Sequence, residues 1–176
     1  MSTPSPHHID NSEVENTRWR IDPARSSIEF RVHHFYGLQT INGRFERYNG
    51  IFQPSRDPAI ELTIEAASVN TNNPQRDKHL RSTDFFDVEN HPLVRFVSDS
   101  VALEDERLKV RGRLYAAGKS ISLEIDADLR RDGDELELDA TTLADHRQLG
   151  MTWGPFGIVR TPSKLIVHGR LIQDAE

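Results

Sequence analysis

The chain contains no cysteine. Disulfides, thiolate nucleophiles and cysteine-ligated zinc or iron–sulfur centres are thereby excluded, and a reducing compartment is compatible with the composition. Nowhere does an apolar run approach the ~18 residues that a membrane-spanning helix requires. Positive charge is also in short supply: 22 Lys and Arg stand against 28 Asp and Glu, a formal net charge of −6. Such a chain has no general basic face to neutralise phosphates, which argues against nucleic acid or anionic membrane as a whole-molecule partner and leaves room only for a local basic patch. Residues 1–17, MSTPSPHHIDNSEVENT, offer neither a basic n-region nor an apolar h-region, so the expected location is the cytoplasm. The same polar stretch is expected to be a disordered tail, with one domain following over 18–174. A Gly-x-Ser-x-Gly elbow and a phosphate-binding glycine loop are both missing, and with them the usual marks of a serine hydrolase or nucleotide enzyme.

What is present is alternation. In Ser27–His34, Ile28, Phe30 and Val32 alternate with Glu29, Arg31 and His33; in Ala59–Ser68, Ile60, Leu62, Ile64 and Ala66 alternate with Glu61, Thr63 and Glu65. Arg107–Tyr115, Ser120–Arg130 and Glu135–Thr142 follow the same period of two. That period marks strands with one buried and one wet face. Thr40–Phe52, Leu93–Leu103 and Ser163–Ile172 are less regular strands, the first interrupted by Gly43 and Gly50, which suggest bends or bulges. The count comes to about eight. Asp132-Gly133 between two alternating runs is a hairpin signal, and Glu104–Glu106 and Ala117–Lys119 read as short connections. Asn73 followed by Pro74 predicts a short helix over 73–81. The stretch from His146 to Pro162, with Gly, Pro, Trp153 and Phe156, reads as irregular.

Long strands joined mostly by short turns predict an all-β fold: an eight-stranded antiparallel up-and-down barrel, lipocalin-like, with a short helix in the 73–87 connection. Its inward face is apolar and carries no catalytic set. Small residues recur on it: Ala66, Ser68, Ser98, Gly112, Ala127, Ala140 and Gly169. They either leave room for an elongated apolar guest or let the barrel taper and pack solid.

Of the histidines, His33 and His34 are adjacent and face opposite sides of a strand, so they do not share a metal. Asp77 and Arg81, four apart, are spaced to pair on the helix face, with Leu80, Phe85 and Phe86 as candidates to plug one barrel end. An alternative role, a metal-assisted enzyme acting on a lipid head group at the mouth, would draw on Asp77, His79 and His146. A solid barrel used purely as an interaction module is a further alternative.

Several segments in series resemble the YceI-like family. They are Trp19-Arg20-Ile21-Asp22, Ser27–His34, Asn42–Phe45, Ala67–Thr71, Arg76–Asp87 and His91–Phe96. The family's late motif Arg-x-Asp-Phe-Gly reads Arg147-Gln148-Leu149-Gly150 here. The resemblance implies a lipocalin-like barrel that carries a polyisoprenoid, an isoprenoid quinone or a similar amphiphile in its lumen, without cofactor or catalysis, and that is often a homodimer. Residues expected to line the lumen are Ile28, Phe30, Val32, Phe45, Leu62, Ile64, Phe96, Val110, Leu114, Leu123, Ile125, Leu138, Trp153 and Val167, with Phe85 and Phe86 closing one end.

Overall fold

The alternating runs become strands because each can bury one face only by curling the sheet onto itself. The computed structural model describes residues 11–34, 39–151 and 162–175. Its elements are α1 (Asn11–Asn16), β1 (Trp19–Ile21), β2 (Ser27–His34), β3 (Gln39–Phe45), β4 (Tyr48–Phe52), β5 (Ile60–Glu65), β6 (Val69–Asn70), α2 (Pro74–Arg81), β7 (Leu93–Glu104), β8 (Arg107–Ala116), β9 (Lys119–Asp132), β10 (Glu135–Ala144) and β11 (Ser163–Gln173). Antiparallel pairing runs β1–β4–β5–β7–β8–β9–β10–β11 and returns to β1, where Ile21 faces Leu171. The ring is therefore closed. β2 and β3 continue the bent strands that begin as β1 and end as β4, so the closed sheet is an eight-stranded antiparallel barrel in up-and-down order.

The two bends have local causes. Pro23–Arg25 forms a 3-10 turn between β1 and β2, capped by Asp22, whose carboxylate accepts from Ala24 N. Between β3 and β4 the ladder is broken at Glu46 and Arg47. Their amides donate to Ser68 Oγ at 3.2 and 3.1 Å, that of Glu46 also to Ser68 O at 3.2 Å, and Ser68 Oγ donates to Glu65 O at 2.7 Å. The run expected over Ala59–Ser68 thus stops at Glu65, and Ala66–Ser68 turns as a 3-10 helix. The hairpins follow their turn residues: Gly133 has φ +62° between the facing pair Asp132 and Glu135.

The hairpin tips at 104–107 and 132–135 lie at one barrel end, here called the closed end, together with α1. Val14, Trp19, Leu129 and Leu136 are all 0% exposed there, and Trp19 Nε1 donates to Val14 O at 3.3 Å. Arg131 forks onto Glu13 at 2.6 and 2.9 Å. The expected disordered tail over 1–17 is therefore corrected for 11–16: an apolar valine and a salt bridge give that segment enough burial to order it as a helix. The opposite end carries α2, the 117–118 turn and residues 145–151.

α2 begins as expected, with Asn73 Oδ1 accepting from Arg76 N at 3.0 Å and Pro74 in its first turn. The expected Asp77–Arg81 pair is not made. Asp77 is buried and accepts from Thr71 N and Thr71 Oγ1 at 2.9 and 2.6 Å. Arg81 donates instead to the carbonyls of Ala67 and Val69. Both side chains satisfy backbone groups of the connection that precedes them, which a helical-face argument does not see.

Candidate functional site: an apolar lumen

A cavity of about 230 Å³ occupies the barrel interior. Every strand from β2 to β11 except the two-residue β6 contributes to its wall. Of the residues expected from sequence, Ile28, Phe30, Val32, Phe45, Leu62, Ile64, Phe86, Phe96, Val110, Leu114, Leu123, Ile125, Leu138 and Val167 all line it. Phe85 does not. It is buried beneath α2 and meets the His79 ring edge-on at 5.2 Å, so it packs the helix and not the lumen. Trp153 lies outside the described residues.

The small residues expected to make room mostly do something else. A β-carbon at Gly112 would sit 2.4 Å from the Phe96 ring, and at Gly43, expected from sequence to mark a bend or bulge, one would sit 2.2 Å from the Phe30 ring. Each glycine is a seat for an aromatic side chain, and the ring occupies the space that the missing side chain leaves. Ser68 holds the β3–β4 bend, and Ser98 Oγ accepts from Ile60 N at 2.9 Å beside the β7 bulge. Among these small residues only Ala127 and Ala140 face the cavity. They are directly opposite one another on β9 and β10, so the space opens over that pair. A solid barrel would have filled this volume with side chains, at the density usual for protein interiors.

Residues that the sequence reading missed include Ile21 and Phe52, from strands that begin or end at a bend, Leu171 near the end of β11, and Leu149, Met151 and Ser163. The first three share the inward register of their neighbours and were recoverable by extending the period of two. Leu149 and Met151 lie where no period operates, and no signal in the sequence marks them.

Among the described lining residues there is no Lys or Arg. The polar side chains that face inward gather at the end away from α1. Thr142 Oγ1 donates to Glu124 O at 3.0 Å. His146 Nδ1 and Ser163 Oγ are 3.1 Å apart, both buried. Asp145 does not orient His146: Arg147 Nε and Nη2 each bond its carboxylate at 2.9 Å, which holds the Asp145 carboxyl below the usual carboxylate range. The groups expected for a metal-assisted enzyme are not brought together. His79 is exposed and bonded to Asp84 at 3.2 Å, Asp77 is turned onto Thr71, and His146 faces the lumen. Among the described residues no three His, Asp or Glu side chains group so as to hold a metal ion. The arrangement can enclose an apolar chain and offer one hydrogen-bonding pair to a polar group at its end.

Residues 19–170 match the model of the YceI-like domain. A UPF0312 protein of Pectobacterium carotovorum subsp. carotovorum is 37% identical over 113 residues, 61% of this chain and 58% of that protein. Protein YceI of Salmonella arizonae is 35% identical over the same length and shares. The chain thus matches somewhat over half the length of these curated relatives. The crystal structure of Burkholderia cenocepacia BcnA superposes with a TM-score of 0.76 at 18% identity, over 85% of this chain and 98% of that one. A polyisoprenoid binding domain from Saccharophagus degradans gives a TM-score of 0.74 at 13% identity, over 90% and 100%. At these identities the structural matches speak for the fold.

Proposed function

This chain belongs to the YceI-like family, and on that premise we propose that it binds a long apolar lipid, an isoprenoid or isoprenoid quinone, inside the barrel and carries it without performing chemistry on it. The observation that carries the reading is the lumen itself: an interior cavity with an almost wholly apolar wall, sealed at one end by Val14 and Trp19 and furnished at the other with the His146–Ser163 pair. An apolar chain would lie along the wall with its polar group at that pair. The Saccharophagus degradans domain of the same fold, described as polyisoprenoid binding, supports the choice of ligand class.

Burial alone supplies enough free energy. Each CH₂ removed from water contributes ~0.8 kcal/mol, so a dozen carbons give ~10 kcal/mol before ordering costs. Micromolar affinity needs about 8 kcal/mol. The test is native mass spectrometry of freshly purified protein, with organic extraction and identification of the lipid. A stoichiometric isoprenoid adduct is expected. A clean unliganded mass, together with no uptake of added polyprenol or ubiquinone, refutes the reading.

A further inference from the structure

Charge and exposed apolar surface are distributed along the barrel axis in a way that the net charge of −6 conceals. Cations toward the closed end or along the barrel wall are neutralised: Arg18 and Arg20 by Asp174, Arg25 by Asp22 and Glu135, Arg107 by Asp128, Arg130 by Asp139, Arg131 by Glu13, and Arg170 by Asp132. At the α2 end, Arg31, Arg95, Arg113, Lys119 and Lys164 are exposed, and among the described residues none of them is in an ion pair. Arg56, on the β4–β5 connection, is the comparable cation at the closed end. On the closed-end connections Asp57, Asp105, Glu106 and Asp134 have no ion pair among the described residues. At the α2 end Glu65 and Asp145 are paired with Arg47 and Arg147, and Asp84, Asp87 and Glu89 lie on the connection from α2 to β7.

The large exposed hydrophobic residues follow the cations. Leu93 is 45% exposed, Tyr115 44% and Leu143 60%, and each is the first or the penultimate residue of its strand at the α2 end. The register sets them in rows with the free cations. Arg31, Lys164 and Leu143 face one another across β2, β11 and β10, and Arg95 faces Tyr115 across β7 and β8. Two like charges placed directly opposite, Arg31 and Lys164, repel one another in the isolated protein. A counter-charge from outside relieves that cost.

We propose that this collar docks the α2 end of the barrel onto an anionic lipid bilayer, with Arg31, Arg95, Arg113, Lys119 and Lys164 meeting head-group phosphates and Leu93, Tyr115 and Leu143 entering the interface. The charge asymmetry points the acidic closed end away from the membrane, so the barrel stands upright. The polar end of the lumen, at His146 and Ser163, then faces the bilayer, which is the side from which a lipid would enter or leave. The purpose of the docking rests on the proposed lipid-carrying role, but its existence does not. It is peripheral contact: no helix among the described residues is long and apolar enough to cross a membrane.

The experiment is flotation of the full chain with vesicles of phosphatidylcholine, and of phosphatidylcholine with one-third phosphatidylglycerol, at low and high salt. Binding to the anionic vesicles at low salt and release at high salt are expected. Each cation at an anionic surface contributes roughly fivefold to partitioning, so the triple variant Arg95→Gln/Arg113→Gln/Lys119→Gln binds roughly a hundredfold more weakly. Leu93→Ser/Tyr115→Ser weakens binding as well, and Arg56→Gln leaves it unchanged. All these positions are exposed, and circular dichroism checks that each variant is folded. Absence of binding to anionic vesicles, wild-type binding by the triple variant, or an equal loss in Arg56→Gln overturns the proposal. Uptake of polyprenol added from ethanol without vesicles is read in parallel. Uptake without docking overturns the docking face alone, whereas docking without uptake supports the face and refutes the lipid-carrying reading.

Discussion

Ala127→Phe separates a ligand chamber from a packed core with a single substitution. Ala127 is buried on β9, lines the cavity, and faces Leu108 on one side and Ala140 on the other. A phenyl ring there enters the space between β8 and β10, where an apolar chain would run. If it displaces one five-carbon unit of the guest, the loss is five carbons at ~0.8 kcal/mol, about 4 kcal/mol or roughly a thousandfold in Kd. The protein itself gains buried apolar surface in a void, so its Tm is expected to hold or rise. Had the site been solidly packed, overpacking would cost ~1–3 kcal/mol and lower Tm by about 2–12 °C. The assay pairs a thermal melt with polyprenol uptake by native mass spectrometry on the same sample. Undiminished uptake by the folded variant refutes the path assigned to the chain, and a Tm drop in the packed-core range refutes the cavity.

Three further perturbations follow from the packing and the surface network. Gly43→Ala drives a β-carbon into the Phe30 ring and should cost ~1–3 kcal/mol in chemical denaturation; adding Phe30→Leu should recover part of it, and strictly additive costs in the double-mutant cycle would count against the ring-seat account. Asp77→Ala leaves the buried Thr71 amide without its acceptor and should cost ~1–3 kcal/mol, while a neutral result in the same denaturation assay would mean that the Asp77–Thr71 clip is dispensable. The carboxyls of Asp22 and Glu135 are both held below their ordinary values, in each case chiefly by hydrogen bonds from Arg25, whose own pKa they raise. Because the folded values are the lower ones, this contribution is fully present above the ordinary carboxylate range and is lost as pH falls through the folded values. Arg25→Gln should therefore melt below wild type at neutral pH and converge with it in acid; a gap unchanged by acid would show that the network carries no pH-dependent stability.

The period of two in Ile28–Val32, Leu108–Leu114 and Leu136–Ala140 was enough to specify an all-β chain with one dry face, and the Asp-Gly turn and the Asn73-Pro74 start were enough to set a hairpin and a helix. These are local preferences, governed by side-chain direction along a strand and by which residues tolerate turn geometry, and they are written in neighbouring residues. The inward-facing wall was legible for the same reason: inside a regular strand, parity assigns the face. Three things were not legible. Gly112 read as a gap and Gly43 as a bend or bulge, yet at each a ring from the neighbouring strand takes the glycine's space, because what occupies that space depends on cross-strand register. Val14 and Asn11–Asn16 read as tail, yet the helix seals the barrel, because its burial depends on Trp19 and Arg131, one beyond the helix and one far along the chain. The collar of free cations was invisible within a net charge of −6, because an ion pair is decided by which strands meet and not by how many charges the chain holds. The sequence by itself determined most of the strands, their faces and the short turns that join them. Closure of the ring, which decides what the inward residues enclose, and the strand pairing that decides which charges find partners belonged to the tertiary structure: closure sets Ile21 against Leu171 from opposite ends of the chain, and pairs such as Arg131–Glu13 and Arg25–Glu135 form only where distant segments meet.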